Sequence, residues 1–176
     1  MAEATTKIQT LTGAGNPQTL TFTSIPQTYD DLLIMGQCAD TSTAASLLYL
    51  DVTWGVAGTS YSWGYGYTTN SGSVGYAANA EATEARIAMP GSASSEDAVG
   101  SFYMYLPRYA TTSYRKQAWY ENGCILNATN QSSSQSNWMG NIILNSTSAV
   151  YSIELKMLFG THKTNNKFTL YGISNS

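Results

Sequence analysis

The sequence has 176 residues, of which 43% are hydrophobic and only 11% are charged, with a formal net charge of −3. This length fits one domain, which can bury a core without a disulfide or a metal ion. The eight Lys and Arg residues form no basic stripe, so we expect no nucleic-acid partner. No apolar run approaches the roughly 18 residues that cross a bilayer, so we expect no membrane partner. The polar segment Met1–Lys7 lacks the apolar centre of a signal peptide, which predicts synthesis in a cytoplasm.

Nearly every apolar segment of the sequence is short and strand-like. Residues 1–17 are predicted to form an N-terminal arm or a first short strand at Ile8–Leu11, and residues 18–176 are predicted to form a β-sandwich domain. Turns rich in Gly, Ser, Thr and Asn separate the segments that follow. In chain order, these predicted strands are Leu20–Ile25, Leu32–Ala39, Leu47–Trp54, Ala85–Met89, Val99–Leu106, Arg115–Glu121, Trp138–Leu144, Val150–Phe159 and Lys167–Ile173.

The spacing of these segments predicts an all-β fold, a single-domain jelly-roll-like β-sandwich of about eight strands. The strongly apolar strand Leu32–Ala39 is expected to be central and buried on both faces. Glu81–Arg86 is the one helix candidate, with two turns at most, and Asn122–Gly123 is a strong hairpin-turn signal. The stretch Gly55–Asn79, rich in Gly, Ser and Tyr, is expected to be a long irregular segment at one end of the sandwich.

Residue types that carry catalysis or bind metals are few and scattered. His162 is the only histidine, and its polar surroundings predict an exposed side chain without a functional role. The acidic pairs Asp30–Asp31, Glu81/Glu84 and Glu96–Asp97 are interpreted as solvated charges at turns, with a calcium site in the loop of the last pair as the alternative. We therefore predict no catalytic residue, no cofactor and no metal site, and a protein that is not an enzyme.

One aromatic cluster is the candidate contact site. Tyr61, Trp63, Tyr65 and Tyr67 would share one face of an extended segment, because side chains alternate along a strand. Such a row of rings with hydroxyl groups could stack on sugars, pack against a neighbouring subunit or cover the core of the domain itself. The four residues are therefore candidates for contact with a ligand or a subunit, with core packing as the other interpretation.

Several segments resemble a family of β-rich structural proteins of tailed bacteriophages, found in marine phages and cyanophages. Phe22–Ile34 is similar to the opening of that family, which typically has Phe-x-Ser-Ile-Pro-x-Thr-Tyr-x-Asp-Leu. Leu106–Ala110 matches its aliphatic-Pro-x-Tyr step, and Ser152–Leu155 and Leu170–Ile173 match its closing Ser-Ile-x-Leu and Leu-Tyr-Gly-Ile motifs. The resemblance covers residues 18–173, although residues 47–98 are similar only in character.

The resemblance implies a jelly-roll module that is built into a virion and has no catalytic residues. On this basis we expect a capsid decoration (cement) protein that binds the major capsid protein, or another virion protein, and stabilises the shell. The family implies incorporation into a virion but no location within it. We expect synthesis in the host cytoplasm and a homo-oligomer, with a homotrimer first, on the capsid surface, with a place on the tail or a fibre as the alternative. Residues 1–17 are the candidate arm for contact with the shell. The alternative is a tail-fibre or tail-tip receptor-binding module that recognises a cell-surface glycan through the face carrying Tyr61 to Tyr67.

Overall fold

A computed structural model of the chain describes residues 4–39, 41, 48–55, 60–69, 74–89, 100–125, 135–158 and 160–175. Within these ranges the chain forms twelve strands and no helix, so the all-β prediction is confirmed. The strands are β1 (Ala4–Thr12), β2 (Thr19–Phe22), β3 (Asp31–Cys38), β4 (Leu48–Thr53), β5 (Tyr61–Thr69), β6 (Val74–Ala82), β7 (Ala85–Met89), β8 (Gly100–Pro107), β9 (Lys116–Ile125), β10 (Gln135–Leu144), β11 (Ile153–Met157) and β12 (Lys167–Ser174).

The strands form two antiparallel sheets. The larger sheet has the order β1-β12-β3-β8-β9-β10-β5-β6, and the smaller has the order β2-β11-β4-β7. One core contains buried side chains from both sheets, which confirms the β-sandwich. When β5, β6, β9 and β10 are set aside and the other eight strands are renumbered, their order is 1-8-3-6 and 2-7-4-5. This is the strand order expected of a jelly roll.

The sandwich has more strands than the sequence indicated, because about eight were expected and twelve are described. The difference lies mainly in the stretch Gly55–Asn79, where β5 and most of β6 form a hairpin in place of an irregular segment. Rings in β5 alternate with small residues, with Tyr65 and Tyr67 on one face and Gly64 and Gly66 on the other. This period of two is the strand signal that the high glycine and serine content obscured.

Each strand of the larger sheet has one face in the core and one face outside it. In β3, Leu32, Ile34 and Cys38 are buried, whereas Met35 is 47% exposed. The prediction that this strand is buried on both faces is therefore wrong. The physical reason is that the smaller sheet covers only one side of the larger one, and no described strand lies over the other side.

Two local predictions, one of a helix and one of a hairpin turn, are also wrong. Glu81–Arg86 contains the end of β6, a two-residue bend and the start of β7, and Glu81 itself has a φ of 59°. Asn122 and Gly123 lie inside β9, opposite Trp138 and Asn137 of β10. Pairing with both β8 and β10 keeps this segment extended, so the tertiary context overrides the turn propensity of the Asn-Gly dipeptide.

Within residues 1–17, the structure places Ala4–Thr12 in β1, the edge strand beside β12. The pairing runs from Ala4 opposite Ser174 to Thr12 opposite Lys167, with a bulge between Lys7 and Gln9. Ile8 and Leu11 pack against the core. Nine of the fourteen described residues of this segment are therefore part of the sandwich as an edge strand.

Candidate functional site

The predicted aromatic row lies on the inner face of β5. Tyr61 and Tyr65 are only 2% and 7% exposed, and Trp63 and Tyr67 are partly buried against the core. The Trp138 ring contacts two of them, with its centroid 4.3 Å from that of Tyr67 and 5.3 Å from that of Tyr65. The four side chains do share one face, as predicted, and the structure uses that face to pack the core of the domain.

His162 is fully buried, so the prediction of an exposed histidine is wrong. Its Nε2 lies 3.1 Å from the carbonyl oxygen of Leu155, and its Nδ1 lies 3.0 Å from Nδ2 of Asn166. Because an amide NH2 group can only donate, Nδ1 accepts and Nε2–H donates, which fixes a neutral tautomer. Asn166 also bonds the N–H and C=O of Ala39 at 2.7 Å and reaches the sulfur of Cys38 at 3.6 Å.

This cluster brings together a cysteine, a histidine and an amide, the residue types of a cysteine-protease site. Cys38, His162 and Asn166 are each at most 1% exposed, so a substrate cannot reach the sulfur in this structure. The amide of Asn166 contacts both the thiol and the imidazole. The cluster therefore anchors the end of β3 to the connection before β12.

Asp31 is also buried, so the prediction of a solvated charge is wrong at this position. Its carboxylate accepts hydrogen bonds from the Tyr105 hydroxyl at 2.6 Å, the Arg108 backbone N–H at 2.9 Å and the Asn175 side chain at 2.7 Å. Burial by itself raises the pKa of Asp31, but these hydrogen bonds outweigh it and hold the pKa below its ordinary value. The neighbouring Asp30 is exposed and accepts a bond from the Asn175 backbone N–H at 2.6 Å.

Lys116 has a structural role that its neighbours in sequence do not reveal. Its side chain is 1% exposed, and its Nζ donates to the carbonyl oxygens of Thr111, Tyr114 (3.0 Å) and Thr147 (3.1 Å). Burial lowers the pKa of Lys116. The period of two in β9 could have found it, because Lys116 shares a strand face with the buried Tyr120. Lys116 therefore joins the turn at Thr111–Tyr114 to the turn at Thr147.

A broad exposed surface lies on the opposite side of the larger sheet, and we name it the outer face. Two rows of side chains cross it in register from β3 to β6. The first row consists of Met35, Tyr103, Glu121, Met139, Gly66 and Tyr76. The second row consists of Leu33, Tyr105, Trp119, Asn141, Gly64 and Ala78. Several of these side chains are large, apolar and exposed, among them Met35 (47%), Trp119 (46%), Met139 (55%) and Tyr76 (89%).

The outer face is high on one side and low on the other. We name the high side the ridge, which consists of Met35, Tyr103, Tyr105 and Trp119 on β3, β8 and β9. We name the low side the trough, whose floor is Gly64, Gly66 and Ala78 and whose walls are Met139, Ile143 and Tyr76. A shallow depression of about 490 Å³ lies in the trough beside Gly64 and Ala78.

A second depression, of about 500 Å³, lies beside the ridge. Its aromatic wall is formed by Trp119 and Tyr103, whose ring centroids are 5.4 Å apart with the planes at 69°. Glu121, Asn137 and Ser101 supply polar groups at its rim. An exposed ring beside acidic, amide and hydroxyl groups can stack on a sugar ring and bond its hydroxyl groups.

Within the described part of the chain, no three His, Cys, Asp or Glu side chains lie close enough together to hold a metal ion. The calcium candidate Glu96–Asp97 lies outside the described residues. The same described ranges contain no helix of the length and apolarity that a membrane span requires. Comparisons of the chain with protein-family models, with curated proteins and with solved structures found no match.

Proposed function

We propose that the protein is a non-enzymatic structural protein of a bacteriophage virion, and specifically a capsid decoration protein that binds the shell as an oligomer. The outer face is the observation that carries the proposal, because it offers a continuous, weakly charged surface for contact with another protein. Glu121 is the one charged side chain in its two rows. Monomeric soluble proteins rarely leave a large continuous apolar patch uncovered, and such patches commonly mark interaction sites.

The size of the outer face suits a protein interface. Six strands, from β3 to β6, carry its two rows. At a spacing of about 4.8 Å these strands span roughly 30 Å, and two rows of residues add about 14 Å in the other direction. The projected area is then roughly 400 Å², before the relief of the side chains adds to it. A standard interface buries about 800 Å² per partner, so the outer face supplies a large share of one.

The resemblance to phage structural proteins supports the same proposal through residues that form the core. Phe22 and Ile25, in the opening segment, are 0% and 2% exposed, and Leu155 and Leu170, in the closing motifs, are fully buried. The shared pattern therefore falls on positions that specify the sandwich. The homotrimer that the resemblance implies remains part of the proposal for the assembled virion.

Binding to shells tests the proposal directly. Purified protein is mixed with capsids of the same phage that lack it, and the bound fraction is measured by sedimentation. We expect saturation at a fixed ratio to the capsid subunit and a higher melting temperature of the shell, because a ligand of the assembled state alone stabilises it. At a free concentration of 100 times Kd, the stabilisation would be about 2.7 kcal/mol per site. Immunogold label confined to tails of intact virions would contradict the decoration role.

A tail-fibre or tail-tip module that binds glycan is the second candidate. The depression beside Trp119 favours it, because its ring is 46% exposed next to the polar groups of Glu121 and Asn137. On this hypothesis, host surface oligosaccharide should bind at millimolar concentration and Trp119→Ala should abolish binding. Tyr151→Ala is the matched control, since Tyr151 is 57% exposed and lies outside the larger sheet. An isotope-labelled sample whose NMR spectrum stays unchanged on addition of glycan would rule this candidate out.

A further inference from the structure

We propose that the outer face packs against the outer face of a second copy of this chain about a two-fold axis, with the ridge of each copy in the trough of the other. The inference rests on the protein-contact role proposed above for the outer face, and it names a second copy as the occupant of that surface. A two-fold dimer would then take the place of the homotrimer that the resemblance implies, and the shell would contact another surface of the protein. Two strand glycines that the monomer does not require, and the register of large side chains across the sheet, carry it.

Gly64 and Gly66 interrupt β5 although nothing in the described monomer demands glycine there. Neither has a positive φ, and a Cβ atom would meet no neighbour closer than 3.6 Å at Gly64 or 3.8 Å at Gly66. A Cβ atom on Gly36 would instead lie 2.4 Å from the carbonyl oxygen of Lys167, so the fold itself requires that glycine. Glycine weakens the interior of a strand, and where it is kept it often marks the close approach of another group. Gly64 and Gly66 therefore indicate a group that approaches from outside the monomer.

The register of the sheet places bulky side chains where a two-fold axis would bring them onto these glycines. β9 and β10 are neighbours, with β8 and β5 one strand further out on either side. Consider a two-fold axis that is parallel to the strands and lies in the plane between the two copies, above the gap between β9 and β10. This axis sets β8 of each copy over β5 of the other. In the first row this places Tyr103 on Gly66 of the second copy, and in the second row it places Tyr105 on Gly64.

The same operation covers the other exposed apolar side chains of the outer face. It sets β3 over β6, so that Met35 of each copy contacts Tyr76 of the other. These two side chains are 47% and 89% exposed in the single chain. Stacked sheets lie about 10 Å apart, which leaves room for one layer of interdigitating side chains. A tyrosine opposite a glycine fits that space, whereas two opposed tyrosines would not.

Glu121 gives the interface a feature that can be tested separately. It lies in the first row on β9, next to the proposed axis, and faces Met139 of the second copy. The two copies of Glu121 approach each other across the axis and lose water there, so their like charges oppose the contact. Glu121→Gln should therefore lower the dissociation constant of the dimer several-fold, because it removes this repulsion.

Sedimentation equilibrium of the purified full chain tests the inference. The wild type should be a dimer, and Gly66→Leu should weaken it by about 30-fold or more, because it fills the position of a central hot-spot ring. The melting temperature of a dilute, monomeric sample should not fall, since a Cβ atom at Gly66 would meet no neighbour closer than 3.8 Å and points to the outer face. Tyr151→Ala removes a ring that is 57% exposed but lies away from the outer face, so it should leave dimerisation unchanged.

A cysteine pair tests the geometry itself. Treatment of the double variant Tyr103→Cys with Gly66→Cys with a bismaleimide that spans about 10 Å, the distance between stacked sheets, should give a covalent dimer. Either single variant should not, because each residue faces the other in the second copy. A wild type that remains monomeric at every concentration, or that forms a trimer, would overturn the inference. So would a double variant that does not cross-link. Each of these results leaves the decoration role open, because shell binding by the wild type is measured separately by sedimentation with capsids.

Discussion

Replacement of Asp31 by Asn should destabilise the protein strongly and remove part of its sensitivity to acid. The two bonds to Oδ2, from the Tyr105 hydroxyl at 2.6 Å and the Asn175 amide at 2.7 Å, both need an acceptor at that atom. An Asn oriented to accept the Arg108 N–H at Oδ1 would place an NH2 group at the Oδ2 position, where it faces the Asn175 amide donor.

The magnitude follows from the charge and the surroundings of these bonds. Hydrogen bonds to a charged group each contribute about 1.5–3 kcal/mol, so the loss of two gives an upper range of roughly 3–6 kcal/mol. Tyr105 is only half-buried and Asn175 is exposed, so water replaces part of what is lost. We therefore expect a decrease of about 2–4 kcal/mol in the free energy of unfolding. For a chain of this length, that corresponds to a melting temperature lower by roughly 5–15 °C.

The pH dependence has a definite sign. The pKa of Asp31 is lowered in the folded state from its ordinary value of 3.8, so its stabilising contribution is present above that value. The contribution is lost as the pH falls below 3.8 through the lowered pKa of the folded state. Thermal unfolding followed by circular dichroism, from about pH 7 to about pH 2, should show a wild-type decline that is smaller in Asp31→Asn.

Asp30→Asn is the matched control for this prediction. Asp30 is the adjacent carboxylate, is exposed and accepts one hydrogen bond, from the Asn175 backbone N–H. Its replacement should cost no more than about 1 kcal/mol. Equal losses of stability in Asp30→Asn and Asp31→Asn, or an unchanged acid profile in Asp31→Asn, would refute the reasoning.

Three further substitutions test the packing, each by thermal unfolding of a dilute sample. Gly140→Ala should cost about 1–3 kcal/mol, because its Cβ would lie 2.3 Å from the Gly64 carbonyl oxygen; stability equal to the wild type would show that the strands can separate. Asn166→Ala should cost about 2–4 kcal/mol, since it removes the acceptor of the buried Ala39 N–H and one of the two donors to the Ala39 carbonyl oxygen, and a smaller loss would mean that water enters. Trp138→Ala should lower the free energy of unfolding by about 3–5 kcal/mol, whereas Trp119→Ala should lower it much less, because Trp119 is exposed on the outer face. Equal losses would contradict the assignment of the two faces.

Much of the sandwich could be predicted from period-two patterns with a clear apolar face. The last strand is the best case, because Phe168 and Leu170 are fully buried and the predicted range Lys167–Ile173 differs from β12 by one residue. β5 was missed as a strand because its alternate positions are rings and glycines, and glycine carries no hydropathy signal to alternate with. The Asn122–Gly123 turn was mispredicted because pairing on both sides of β9 outweighs a local preference.

The outer face could not be identified from the sequence for a related reason. In β8, Phe102 and Met104 face the core while Tyr103 and Tyr105 face outward, so both faces of the strand carry large rings. A pattern with apolar side chains at every position does not say which face is covered. His162 shows the opposite case, because its polar neighbours in sequence gave no sign that Asn166 and a backbone carbonyl would satisfy it in the interior.

The position of β12 has a consequence for how the protein is made. β12 lies between β1 and β3, and β12 is the only sheet partner of β1 among the described strands. On the ribosome, β1 can therefore pair only after β12 has been translated. Until then, the edge of β3 that pairs with β12 stays open. Pairing over such a separation is slow, and unpaired apolar strands are prone to aggregate in the meantime. Translation that stops before Lys167 should yield aggregated or degraded chains, so soluble protein should depend on translation proceeding beyond β12.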